Sequence, residues 1–251
     1  MKTLSALALA LALALALPAC ADTELRLPAS AEGAALAQSA AASRSRYNVF
    51  ACTTCHAVRG AEVGTRLLPG APLEGAALRP SFWGGETAHL DEAVARCWTF
   101  FMRGTPTDLD GRTGEALYAW LDSLSPAGST VGTAAVPQTF PRIVRPLGEG
   151  DATRGRALWS RACANCHGAL GTGAGRLGPL VTVVPGETER EHCADELPAG
   201  YDDHTAYMRT VVVEKVRHGS FLGYAGTMPP FSVEALSDAD VRDLTMLFRC
   251  P

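Results

Sequence analysis

Two five-residue strings constrain this chain more than any other feature: Cys52-Thr53-Thr54-Cys55-His56 and Cys163-Ala164-Asn165-Cys166-His167. Both have the form Cys-x-x-Cys-His. Two thiols three residues apart share one helical turn, where they can add across the two vinyl groups of one haem. The next residue then sets an imidazole under the iron. A redox dithiol would sit in a thioredoxin-like alternation of strands and helices, which the pattern lacks. A zinc site would need four close ligands and would leave the duplication unexplained. The strings therefore predict two covalently attached c-type haems, with His56 and His167 as proximal ligands.

The rest of the chain repeats with the motifs. Each half has its motif near the start, a Gly/Pro-rich middle and a closing amphipathic helix. The closing helices are read over 114–124, with Ala116, Leu117, Trp120, Leu121 and Leu124 apolar, and over 238–248, with Val241, Leu244, Leu247 and Phe248 apolar. Ser237 or Asp238 is the expected cap of the second. A segment rich in Ala and Ser, 29–45, predicts a helix leading into the first motif, and Pro, Gly and Ser across 126–150 read as a linker. At 251 residues the chain has room for two domains of about 100 residues each. The expected fold is all-α: two tandem domains over 21–125 and 149–251, joined by 126–148 and each wrapped around one haem.

Residues 1–20 read as a signal peptide. Lys2 supplies the charge, and the Ala/Leu run over 4–17 is too short to span a bilayer. It ends in Leu17-Pro18-Ala19-Cys20, which resembles a bacterial lipobox, so Cys20 is the expected lipid anchor; ordinary cleavage near Ala19 or Ala21 is the alternative. Either route puts the mature chain in the periplasm or on the outer side of a bacterial membrane. A formal charge of −4 without clustered Lys and Arg argues against a nucleic-acid partner and leaves redox partner proteins.

Residues 150–250 resemble the class I cytochrome c family. Gly155, Leu158 and Trp159 lead into the motif, Gly168 follows it, and Pro179 stands twelve residues beyond His167 in Leu177-Gly178-Pro179-Leu180. The resemblance implies that the Pro179 carbonyl accepts a hydrogen bond from His167 and so fixes its ring. Gly226-Thr227-Met228-Pro229-Pro230-Phe231 looks like the family's methionine loop, which makes Met228 the sixth ligand of the second iron. Met208, at helical spacing with Val212, reads as core.

The first half departs from that pattern. Its candidates for the sixth ligand are His89, Cys97 and Met102, none of them in a Met-Pro loop. The run Ala93 to Cys97, then Phe101-Met102-Arg103-Gly104, Leu109 and the helix over 115–121, resembles the thiosulfate dehydrogenase family and the related haem proteins of sulfur-oxidising systems. The resemblance spans 48–124 and implies Cys97 as axial ligand and catalytic candidate, His56 as proximal ligand and a small sulfur anion as substrate. Cysteine arithmetic supports it. With four of eight cysteines on haem and Cys20 on lipid, Cys97, Cys193 and Cys250 remain in an oxidising compartment. Cys193 with Cys250 would staple the second domain and leave Cys97 for iron; the alternative crosslinks Cys97 and hands its place to His89 or Met102. Arg44, Arg46, Arg96 and Arg103 are expected to pair with haem propionates or face water. His192, His204 and His218 read as solvated. The expected function is electron transfer, with a thiosulfate dehydrogenase-like enzyme as the alternative; nothing specific favours a non-catalytic haem sensor.

Overall fold

The computed structural model describes residues 28–60, 65–130, 132, 136–194, 196–220 and 226–251; the leader and Cys20 lie outside them. Its helices are α1 (Ala29–Ala37), α2 (Cys52–Cys55), α3 (Leu90–Phe100) and α4 (Arg112–Ser123) in the first half. The second half holds α5 (Ala152–Leu158), α6 (Ala164–His167), α7 (Gly186–His192), α8 (His204–His218) and α9 (Asp238–Thr245). Among the described residues there is no strand, and an isolated bridge joins Phe82 to Thr87. The protein is all-α. None of its described helices is long and apolar enough to cross a membrane.

Each half packs its first helix onto its last through a glycine. A Cβ at Gly33 of α1 would stand 2.0 Å from the Ala116 carbonyl oxygen of α4, and one at Gly155 of α5 would stand 2.2 Å from that of Asp243 in α9. Both contacts are closer than any side chain allows, so the backbones meet only because glycine is there. Asp243 secures the second crossing. It is buried, takes Arg154 Nε at 2.7 Å and the Asp151 N–H at 2.8 Å, and its carboxyl is held below the usual range by those donors. Gly155→Val is expected to lower the stability of the second half by about 3 kcal/mol, the upper end of core overpacking. Thermal melts read by circular dichroism would show the loss, and an unchanged midpoint would refute the close contact.

The predicted elements shift at their ends. α1 ends at Ala37 and is followed by a short 3₁₀ turn, Ala40–Ala42. α4 begins two residues early, at Arg112. α9 gives way to turns after Thr245, and its cap is Ser237, whose Oγ accepts the Asp240 N–H at 3.2 Å. Between α5 and α6 the chain widens into a π-turn, Trp159–Cys163, which delivers Cys163 to the motif.

The Pro-rich segment expected as a linker behaves as a strap. Thr139 donates from its N–H and Oγ1 to the two Glu234 carboxylate oxygens at 2.8 and 2.7 Å, and its carbonyl accepts the Val233 N–H at 3.0 Å. His218 Nε2 donates to the Pro141 carbonyl at 2.7 Å, so this histidine is buried and bonded rather than solvated. One end of the strap is thus fixed to the second half, while Gln138 and Phe140 line the first half's cavity.

Candidate haem sites

The first motif forms the single turn α2. Thr54 Oγ1 accepts the Ala51 N–H at 3.0 Å, and the His56 N–H closes on the Cys52 carbonyl at 3.0 Å, so both thiols leave from one turn. His56 Nδ1 lies 2.7 Å from the Ala71 carbonyl. A carbonyl only accepts, so Nδ1 carries the proton and Nε2 keeps its lone pair for a metal. Burial lowers the His56 pKa below the usual imidazole value, the bond to Ala71 opposes it and nearby Arg79 adds to it; the ring is neutral at pH 7. A Cβ at Gly70 would sit 2.3 Å from His56 Cε1. Gly70 is therefore part of the site, although no motif marks it.

Around that histidine lies an open apolar cavity, about 980 Å³ with the solvent at its mouth included. Cys52, Cys55, His56 and Cys97 all line it, with Phe50, Leu73, Trp83, Val94, Phe101 and Met102 among its apolar walls. Burial pushes the Cys97 thiol up to about 12 and Cys52 up to about 11, which keeps both protonated without a cation beside them. Of the three candidate ligands on this segment, Cys97 carries a free thiol on the wall, Met102 lines the cavity with 4% exposure, and His89 stands exposed at the start of α3 and off the wall.

The cavity passes a test for a haem. Its walls are overwhelmingly apolar around the two motif thiols and the imidazole. Its wall carries one buried guanidinium, Arg79, which donates Nη2 to the Pro72 carbonyl while its Nε is buried with no protein partner. A buried cation with an unmet donor suits an apolar macrocycle that carries carboxylates. The four arginines singled out by sequence position are placed elsewhere. Arg44 and Arg46 are exposed, the latter over the Tyr47 ring at 4.7 Å, Arg96 is off the cavity wall, and Arg103 donates to the Gly226 carbonyl at 3.0 Å.

The second motif repeats the geometry. His167 Nδ1 faces the Thr182 carbonyl at 2.9 Å, fifteen residues on, the same offset that joins His56 to Ala71. The acceptor expected from family resemblance, Pro179, is therefore replaced by Thr182. The Leu177 N–H bonds to the Cys166 carbonyl at 2.8 Å and turns the chain so that a later carbonyl meets the ring. Burial lowers the His167 pKa, against the bond to Thr182. Burial also raises the Cys163 thiol to about 12. The Trp159 indole donates to the Gly168 carbonyl at 3.1 Å and stands 5.7 Å from the His167 ring.

Met228 packs against the second core with Trp159, Cys163 and Leu170; residues 221–225, just before its loop, lie outside the described ones. Its carbonyl accepts the Ser220 N–H at 2.9 Å. Met208 is fully buried, with its sulfur 3.9 Å from Cys193 Sγ, as a core methionine should be. Cys193 and Cys250 form a disulfide with an S–S distance of 2.02 Å, so Cys97 is left unpaired.

Comparison with known proteins places these sites in context. The model of the family "cytochrome C oxidase, cbb3-type, subunit III" matches residues 150–246. The chain is 31% identical over 125 residues to thiosulfate dehydrogenase from Stutzerimonas stutzeri (strain A1501), covering 49% of this chain and 39% of that protein. It is 31% identical over 129 residues to thiosulfate dehydrogenase from Allochromatium vinosum, covering 50% of this chain and 47% of that one. It thus spans less than half the length of either relative. Among solved structures, thiosulfate dehydrogenase (TsdBA) from Marichromatium purpuratum aligns with 87% of this chain and 45% of its own, at 19% identity and a TM-score of 0.41.

Proposed function

We propose, on the premise that this chain is a dihaem c-type cytochrome similar to the thiosulfate dehydrogenases, that it is exported and passes electrons between redox partner proteins. The observation that carries this reading is the duplicated histidine geometry: each motif ends in a neutral imidazole whose Nδ1 is spent on a carbonyl fifteen residues on. The haem irons, once attached, supply one-electron chemistry. The chain does the rest. Cys52 and Cys55 anchor one group, Cys163 and Cys166 the other, and His56 and His167 hold the irons. Met228 offers the second iron a thioether, which favours the ferrous state and suits the exit side of a carrier. Arg79, on the wall of the first cavity, would neutralise a propionate there. The domains are 21–125 and 149–251, and the leader directs the chain to the periplasm with Cys20 as its lipid anchor.

A second reading has its own support. Cys97 stands free on the wall of the first cavity, and two relatives are named for thiosulfate oxidation. In that reading two sulfur anions bind beside the first haem and join through a new S–S bond. The two electrons released would have to leave to an acceptor, a transfer that haems bound at the two motifs would supply. A thiosulfate-dependent reduction of ferricyanide by the purified holoprotein is the expected result if the chain is such an enzyme. Haems that exchange electrons with added cytochrome, while thiosulfate gives no reduction, would leave it a carrier.

A further inference from the structure

The two attachment turns meet. Cys55 and Cys166 pack into one apolar cluster together with Val49 and Leu177, although 111 positions separate the two cysteines in the chain. The segment after the first motif stitches them together: the Leu67 N–H bonds to the Arg161 carbonyl at 2.9 Å, and Arg161 Nε returns a bond to the Thr65 carbonyl at 2.9 Å. Between these two bonds sits Arg66. It reaches the first motif, donating Nη2 to the Thr54 carbonyl at 3.4 Å, while its Nε is buried without a partner. The residues on either side of it are both tied to Arg161, two positions before Cys163, so Arg66 stands where the two motifs come together.

We propose that Arg66 is an electrostatic element shared by the two haem sites, a guanidinium set between their facing attachment edges that raises the potential of both. The inference rests on the reading that each motif carries a haem. Reduction takes one unit of positive charge from an iron centre, and a fixed cation nearby favours that change. The effect is large where protein rather than water fills the gap. Because the charge lies at the junction, it acts on both centres with the same sign. It therefore lifts both couples together rather than steepening the step between them. An arginine that merely paired with one propionate would act on one couple only.

The test uses full-length holoprotein and reads potentials, not turnover. Haem content is counted first, because a wild-type chain with fewer than two haems would sink the underlying reading rather than this one. Arg66→Gln, Arg66→Lys and wild type are then titrated by optical spectroelectrochemistry. Both couples are expected to fall in Arg66→Gln and to return toward wild type in Arg66→Lys, with two haems per chain throughout. A fall confined to one couple, or none, overturns the proposal. Should Arg66→Gln lose haem, Arg66→Met, which keeps the apolar stem, is titrated in its place. Haem loss in that variant too would assign Arg66 a purely structural role and also overturn it.

Discussion

Matured with an intact haem-attachment system, the chain is expected to carry two covalently bound haems, and the double substitution Cys163→Ala/Cys166→Ala to carry one. Each pair leaves from its own turn, α2 in the first half and the π-turn with α6 in the second, so the two attachments are chemically separate. Each histidine also has its own carbonyl, Ala71 or Thr182. The first haem should therefore survive loss of the second. The variant should nevertheless melt earlier, because Cys166 and Leu177 pack against the first core and a buried macrocycle fills space that nothing else fills. Intact mass after acid-acetone extraction reads the count. One haem or none on the wild-type chain would defeat the whole functional account.

Much of this site is written into the sequence, because it consists of contiguous motifs whose spacing has a chemical reason. The two Cys-x-x-Cys-His strings are of that kind. Counting cysteines leaves two pairings open, and the structure has the one that joins Cys193 to Cys250 and leaves Cys97 free. What sequence reading missed is set by the path of the chain between motifs. Thr182 displaces Pro179 as acceptor because the loop after Leu177 must turn before a carbonyl can face the ring, and no residue type marks that carbonyl. Gly70 and Gly33 are ordinary glycines until the atoms a Cβ would meet are known. Arg79 and Arg66 are not marked by their place in the sequence; what marks them is a buried, unpartnered Nε beside the first motif, Arg79 on the cavity wall and Arg66 against the Thr54 carbonyl. The segment reads as a linker from its composition, and Thr139 and Pro141, through their partners Glu234 and His218, hold it so that Gln138 and Phe140 form part of the first cavity's wall. Pro and Gly state that a segment is irregular, not that it is unattached.

Replacing Cys97 by Met is expected to raise the potential of the first haem on the order of a few hundred mV, within the span that axial ligands command. The argument starts from the thiol. Burial raises it to about 12, so near neutral pH it stays protonated unless a cation offsets the charge; a ferric iron held by His56 in the same cavity would be such a cation. A thiolate on iron stabilises the ferric state and holds the potential low, while a thioether favours ferrous iron. With Cys97 on the first iron and Met228 on the second, electrons would run downhill from the first half to the second. Oxidised wild type should then show thiolate-to-iron charge-transfer bands and two well-separated couples. Cys97→Met should abolish the bands and draw the couples together, with both haems retained because attachment rests on other cysteines. If the chain oxidises thiosulfate, the same variant should lose turnover while the second haem still exchanges electrons with added cytochrome. Bands and potentials unchanged by the substitution would take Cys97 off the iron, pass the ligand role to Met102, and remove the main structural reason to regard the first cavity as an active site.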